Sequence, residues 1–331
     1  MALRPDDITA HIFLGTILAA TERDAVIEAY RRLVGNGANP RAEHRLAVLT
    51  GEGPSALSAA PDYVREVFDE LADTFEEKLV SHLSYRVPWD LYHAMQDVRP
   101  PSPEGGWRVL DLGSGTGLCG RIFKEYVRGI SNGNGSDERV AGATTTTAMT
   151  TAAPRGGAMV GCDLSPKMVL KAQESEDYTE VRLQDVHEAL RQEEAGSLDL
   201  VLSADTFIYV GQLEECFALV SQALTVGGLF AFSIEELMEE GKEEKVDEHY
   251  SAEDSTTAVF HQPSVAQEED DVMVPEFRLE SSGRYAQTHA YILRLLAAHK
   301  LELRATVEVQ IRKESTVPIS GRIYVTEKPG I

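Results

Sequence analysis

The chain is poor in basic side chains, in cysteine and in long apolar runs, and each shortage excludes something. Its 331 residues hold 31 Lys and Arg against 54 Asp and Glu, a net charge of -23. A broad sequence-independent nucleic-acid surface needs basic side chains to displace phosphate counterions, and this balance speaks against one. Three cysteines, Cys119, Cys162 and Cys216, are too few and too scattered for a disulfide framework or a zinc site. Each lies in an apolar or Gly-rich stretch, as a small buried hydrophobe in a reducing compartment would. The early apolar run Ile12–Ala20 falls well short of the ~20 residues of a membrane span. It follows Asp6 and Asp7 rather than basic residues, so neither a membrane anchor nor a secretory signal is expected, and the expected location is cytoplasmic. Aromatic residues make up only 7%, yet 43% of the chain is hydrophobic, enough for a sizeable core.

Residues 7–96 read as successive helices. Val64, Val67, Phe68, Leu71, Phe75, Leu79 and Leu83 make a stripe at three- and four-residue spacing. Residues 1–60 form an expected helical N-terminal region, a degenerate helical-hairpin repeat too short to bury its own faces and so packed on the rest. Residues 61–331 form the main domain. From Trp107 onward short β-rich runs (108–112, 159–164, 179–183, 198–203, 228–234) alternate with helical patterns at 118–128, 166–174, 186–192 and 212–224. That alternation implies βαβ units and an α/β fold with a parallel sheet covered on both faces. A helix at 287–299 and strands near 301–312 and 317–326 follow, the last two expected to pair as an antiparallel hairpin.

Two segments break the pattern. Residues 131–157 are rich in Gly, Ser, Thr and Ala and read as a low-complexity insertion. Residues 235–271 hold 14 acidic residues against Lys242 and Lys245, so this acidic insertion alone contributes -12 of the -23.

The densest chemical signal is Val109-Leu110-Asp111-Leu112-Gly113-Ser114-Gly115-Thr116-Gly117, a hydrophobic strand entering a Gly-rich turn and then a helix. Glycines there admit positive φ and let a ligand approach the backbone beside a positive helix N-terminus. Gly115-x-Gly117-x-x-Gly120 also satisfies a dinucleotide fingerprint. Asp111 argues against a nicotinamide oxidoreductase: a carboxylate at the turn repels a pyrophosphate but attracts the ammonium of S-adenosylmethionine. A ribose-binding acid is expected about 20 residues beyond the glycines. Asp163 stands 46 positions beyond Gly117, and leaving out the 27-residue segment 131–157 reduces this to 19.

Together, Val109–Gly117, Gly161-Cys162-Asp163-Leu164-Ser165-Pro166-Lys167-Met168 and Gly227-Gly228-Leu229-Phe230 resemble class I S-adenosylmethionine-dependent methyltransferases. Val64–Phe75, Ser84-Tyr85-Arg86-Val87-Pro88 and Ser282-Gly283-Arg284-Tyr285-Ala286 are more closely similar to methyltransferases associated with tetratricopeptide repeats, with Gln287 departing from them. The resemblance implies a Rossmann-like seven-stranded, mostly parallel sheet with an antiparallel last strand. It implies that Gly113, Gly115 and Gly117 line the methionine portion of the cofactor, with Asp111 near its ammonium. Asp163 would accept from the ribose hydroxyls, Met168 would pack on the adenine, and Asp185 would bond the adenine amino group.

Ligands in open α/β sheets sit beyond the carboxyl ends of the strands, so Ala204–Tyr209 should face the transferable methyl group. Candidates for base or acceptor contact are Asp205, Tyr209, Tyr285 and His289. No Asn-Pro-Pro-Tyr-like segment is present, and helix 62–82 is expected to act as a lid. The leading expectation is an S-adenosylmethionine-dependent methyltransferase acting on a small molecule. Its alternatives are a protein substrate, or a non-catalytic methyltransferase-fold protein recruiting a partner through the N-terminal helices.

Overall fold

The computed structural model describes residues 21–77 (apart from 36 and 38), 84–129, 156–237, 275–314 and 317–330, together with Leu18. Most of the low-complexity segment, the acidic insertion beyond Leu237, the run Ile12–Ala20 apart from Leu18, and Leu79 and Leu83 of the stripe lie outside the described residues.

Two helices, α1 (Arg23–Gly35) and α2 (Pro40–Thr50), open the described chain as a hairpin around Val26, Tyr30 and Ala42. Asn39 caps α2 by accepting from the Ala42 N–H at 2.8 Å, and Pro40 follows it, where its missing N–H costs nothing. The hairpin is fastened to the rest through His44. Its ring stacks on Tyr63 at 4.0 Å and its Nε2 lies 2.7 Å from the Gly283 carbonyl. Burial holds His44 down to about 4, so it docks as a neutral ring. Next come α3 (Pro61–Leu71), with a 3₁₀ turn to Thr74, and α4 (Val87–Val98).

The sheet then builds from β1 (Arg108–Leu112), β2 (Ala158–Asp163), β3 (Glu180–Leu183), β4 (Leu198–Ser203) and β5 (Leu224–Glu236). Between them lie α5 (Leu118–Arg128), α6 (Pro166–Glu174), α7 (Val186–Gln192) and α8 (Glu214–Ala223). A short hairpin, β6 (Phe277–Leu279) and β7 (Tyr285–Gln287), precedes α9 (His289–Ala298) and the long hairpin β8 (Glu302–Glu314) and β9 (Val317–Glu327). Five strands run parallel in the order β3-β2-β1-β4-β5. β9 lies antiparallel against the other edge of β5, and β8 pairs outside β9, completing a seven-stranded Rossmann-like sheet with an antiparallel last strand. Two further strands extend it: β7 pairs with the far end of β5 and β6 with β7.

Period-two alternation sends successive strand residues to two cores. Leu110, Leu112, Val201, Phe230 and Phe232 pack with α7, α8 and α9 on one face. Val109, Leu200, Leu202, Leu229 and Ala231 pack with α4 and α5 on the other. Among the described residues, no helix is long and apolar enough to cross a membrane.

Several expected boundaries move, most by a residue or two, and two of the shifts have a clear physical reason. β5 begins at Leu224 rather than Gly228, because Leu224 pairs with Leu198 before a register shift lets Leu229 pair with Leu200. Glu235 and Glu236, read as the start of the acidic insertion, end β5 instead. Each is held by an arginine, Glu235 by Arg312 and Glu236 by Arg322.

Candidate functional site

One cavity of about 630 Å³ opens at the carboxyl ends of β1 to β4. Its floor is the Gly-rich turn after β1. Gly113 takes φ +71, and a Cβ there would come within 2.3 Å of Thr206 Oγ1, itself donating to the Leu112 carbonyl at 2.8 Å. The turn after β1 and the loop after β4 thus fit together only without a side chain at 113. The Gly115 N–H donates to Asp163 Oδ2 at 3.0 Å, while Asp163 Oδ1 accepts from the Ser165 N–H at 2.8 Å. Burial still lifts Asp163 to about 6, against those backbone bonds.

The wall after β3 carries Gln184 and Asp185. Asp185 caps α7 in a capping box with Glu188, accepting from the His187 N–H at 2.8 Å. Burial raises its pKa, but the His187 ring and N–H outweigh burial and hold it below the usual carboxylate range. Gln184 Oε1 is buried without a hydrogen-bond partner. The roof is the apolar stripe of α3 and the residues after it, Val64, Phe68, Leu71 and Phe75, with Phe68 edge-on to Tyr209 at 5.3 Å between ring centres.

After β4, Asp205 sits in the left-handed region (φ +56), rare for a side-chain-bearing residue and frequent at functional sites. Its N–H donates to Ser233 Oγ at 2.9 Å, and its carboxylate faces Arg312 at 3.5 Å. Burial lifts Asp205 to about 6, with Arg312 opposing. Gln287 steadies the following 3₁₀ turn, its Nε2 donating to the Phe207 and Val210 carbonyls at 3.0 Å each.

Of the candidates named from sequence, Gly113, Gly115, Asp163, Asp185, Asp205 and Tyr209 line this cavity. Five others do not. Asp111 is buried beneath the turn, where it accepts from the Tyr178 hydroxyl at 2.6 Å. Gly117 faces that same Tyr178 ring, 3.2 Å from where a Cβ would sit. Met168 is fully buried on α6 away from the cavity wall, so packing accounts for it. Tyr285 is fully buried with its hydroxyl donating to the Ser55 carbonyl, which removes it from the reacting centre. His289 stacks on Tyr324, with Nδ1 2.8 Å from that hydroxyl, and is likewise outside the cavity. Sequence reasoning missed Arg284 and Arg312, both on the cavity wall.

The parts present fit an S-adenosylmethionine cradle: a glycine turn open to the cavity, carboxylates after β2 and β3, and an unsatisfied buried oxygen on Gln184. Residues 139–232 match a family model described as a methyltransferase domain. The chain is similar to the [4+2]-cyclase SpnF at 12% identity, over 82% of this chain and 97% of that one, with a TM-score of 0.50. It is similar to 1,6-didemethyltoxoflavin-N1-methyltransferase of Burkholderia thailandensis at 14% identity (84% and 93% covered, TM-score 0.48). Magnesium protoporphyrin IX methyltransferase of Synechocystis PCC 6803 is similar at 14% identity (81% and 96% covered, TM-score 0.43). No curated protein matches the chain. The likeness to SpnF shows the fold. The family match over residues 139–232 marks an S-adenosylmethionine-dependent methyltransferase domain, whose methyl donor is S-adenosylmethionine.

Proposed function

We propose that the protein methylates a small molecule held in the inner part of this cavity. The observation that carries the reading is the single continuous cavity of about 630 Å³ running from the Gly-rich turn to an apolar roof, within the range of small-molecule sites. Gly113 and Gly115 hold the amino-acid end of the donor, Asp163 accepts from its ribose hydroxyls, and Asp185 with Gln184 receives its adenine. When bound, S-adenosylmethionine supplies a methyl group already activated on a sulfonium. What remains for the protein is to hold both partners at attack distance and exclude water. Phe68, Leu71 and Phe75 exclude water from above, and Asp205 and Tyr209 position the acceptor.

The kinship with tetratricopeptide-associated methyltransferases belongs to this proposal, supported by the α1/α2 helical hairpin. So does a reducing, cytoplasmic setting, supported by three buried free cysteines. The test is transfer of label from methyl-labelled donor in cell extract separated into small-molecule and protein fractions. Label in the small-molecule fraction supports the reading. Label only in protein, or none, supports the protein-directed or non-catalytic alternatives instead.

A further inference from the structure

A register shift in the β8–β9 ladder lies between Gln310 and Arg312. Such bulges re-aim side chains, and here both Ile311 and Arg312 are buried. Arg312, with a side chain only 2% exposed, donates to Glu235 Oε1 at 2.8 Å and faces Asp205 Oδ1 at 3.5 Å. Arg284, from the turn before β7, also lines the cavity, hydrogen-bonded to Tyr209 and within electrostatic reach of Asp205 and Glu235. Two guanidinium groups and two carboxylates therefore cluster at the cavity wall, with Glu235 behind Arg312, and their charges cancel. Around them are the apolar surfaces of Val64, Phe68 and Ile208 and the rings of Tyr85 and Tyr209.

We infer that the acceptor is a neutral molecule with a planar apolar body that presents a hydroxyl group to Asp205 and is methylated on oxygen. This rests on the methyl-transfer reading above and narrows it. A carboxylate acceptor needs no base and would set a second negative charge against the Asp205 carboxylate. An ammonium would add a second positive charge beside the sulfonium, and either placement of like charges is costly away from water. A neutral hydroxyl adds no charge on binding. As the oxygen forms its bond to the methyl carbon, the carbon–sulfur bond breaks and its electron pair leaves on sulfur as a neutral thioether. The hydroxyl proton passes to the Asp205 carboxylate, which later returns it to water. Sulfonium and carboxylate charges thus disappear together as the proton reaches Asp205.

Two further features suit Asp205 to that task. Its strained backbone fixes the carboxylate at the end of β4. Its elevated pKa, about 6, leaves it unprotonated at neutral pH while close to the range where a general base is effective.

The probes are β-naphthol, 2-naphthylmethylammonium and β-naphthoate, which share one ring system and present a neutral, a cationic and an anionic group. Calorimetry first measures S-adenosylhomocysteine binding, and failure there sinks the methyl-transfer reading itself. The saturated protein is then titrated with each probe. The expected result is β-naphthol bound about tenfold or more tightly than the other two, with formation of its methyl ether when S-adenosylmethionine replaces the product. Asp205→Asn should abolish ether formation while keeping S-adenosylhomocysteine affinity, and Asp205→Glu should restore part of it. Equal or tighter binding of the amine or the acid, no binding of any probe, or wild-type ether formation by Asp205→Asn overturns the inference. The comparison among probes needs no variant, so it stands even if Asp205→Asn fails to fold.

Discussion

The Tyr178 hydroxyl donates to Asp111 Oδ2 at 2.6 Å and accepts from the Gly120 N–H at 3.0 Å. Gly120 lies in the first turn of α5, where backbone N–H groups have no helical acceptor. Tyr178 supplies one and ties it to the strand carrying the Gly-rich turn. The ring of Tyr178 also occupies the space that a Cβ at Gly117, Gly120 or Gly161 would enter. The third glycine of the fingerprint-like pattern is there for a tyrosine. Asp111 acts on the cradle from below, through Tyr178.

Gly120→Ala should therefore be costly, since its Cβ would sit 2.4 Å from the Tyr178 ring. Overpacking of this kind costs roughly 1–3 kcal/mol. Urea denaturation should show that loss, and Gly120→Ala combined with Tyr178→Leu should lose less than the two single changes summed, because the leucine removes the ring that the alanine methyl would strike.

Burial lifts Asp111 to about 7, well above an unfolded aspartate near 3.8. Between those values the folded state holds a proton that the unfolded state has released, so stability attributable to Asp111 falls as pH rises toward 7. Asp163 and Asp205, both lifted to about 6, act in the same direction, while His44, lowered to about 4, acts in the opposite one. Asp111→Asn removes one contribution and should flatten the decline between pH 5 and pH 7.5 by about 2–3 kcal/mol. Urea melts of both proteins at the two pH values measure the difference. An unchanged slope contradicts the placement of Asp111.

Arg312→Met should be among the most destabilising single changes in the described residues. It strands Glu235 and Asp205 in a dry site, and breaking a buried pair from one side costs roughly 3–5 kcal/mol. The loss should be smaller at pH 5 than at pH 7.5, because Asp205 then takes up a proton. Denaturant midpoints at the two pH values check it.

Phe75→Ala should weaken donor binding with little loss of fold, since Phe75 is a half-buried roof residue lying 3.8 Å from where a Cβ on Gly115 would sit. Losing one aromatic wall corresponds to about 1–2 kcal/mol, or roughly five- to thirtyfold in affinity. Calorimetric titration with S-adenosylhomocysteine reads it directly.

Most of the sheet was legible in the sequence because its strands are short apolar runs separated by helices with clear starts. β1, β4, α5, α6 and α7 have the expected bounds. Asp163 could be located because subtracting one low-complexity segment restored a fixed spacing. Arg312 was not legible: in Gln310-Ile311-Arg312-Lys313 it reads as the solvent side of an alternating strand, and only the register shift turns it inward. Tyr178 was missed because its meaning lies in three glycines distant in sequence. Tyr285 and His289 misled because a polar residue near strand ends can serve packing, as their bonds to Ser55 and Tyr324 show.

The central claim is that the cavity above the Gly-rich turn holds S-adenosylmethionine, with Asp163 on its ribose. Calorimetry of S-adenosylhomocysteine binding to the wild type and to Asp163→Ala, with folding checked by circular dichroism, tests it most directly. The account predicts one site per chain in the wild type and an affinity loss of about tenfold or more in the variant, the scale of a charge-assisted hydrogen bond. No binding to the wild type at millimolar ligand, or equal affinity in a folded Asp163→Ala, would contradict it.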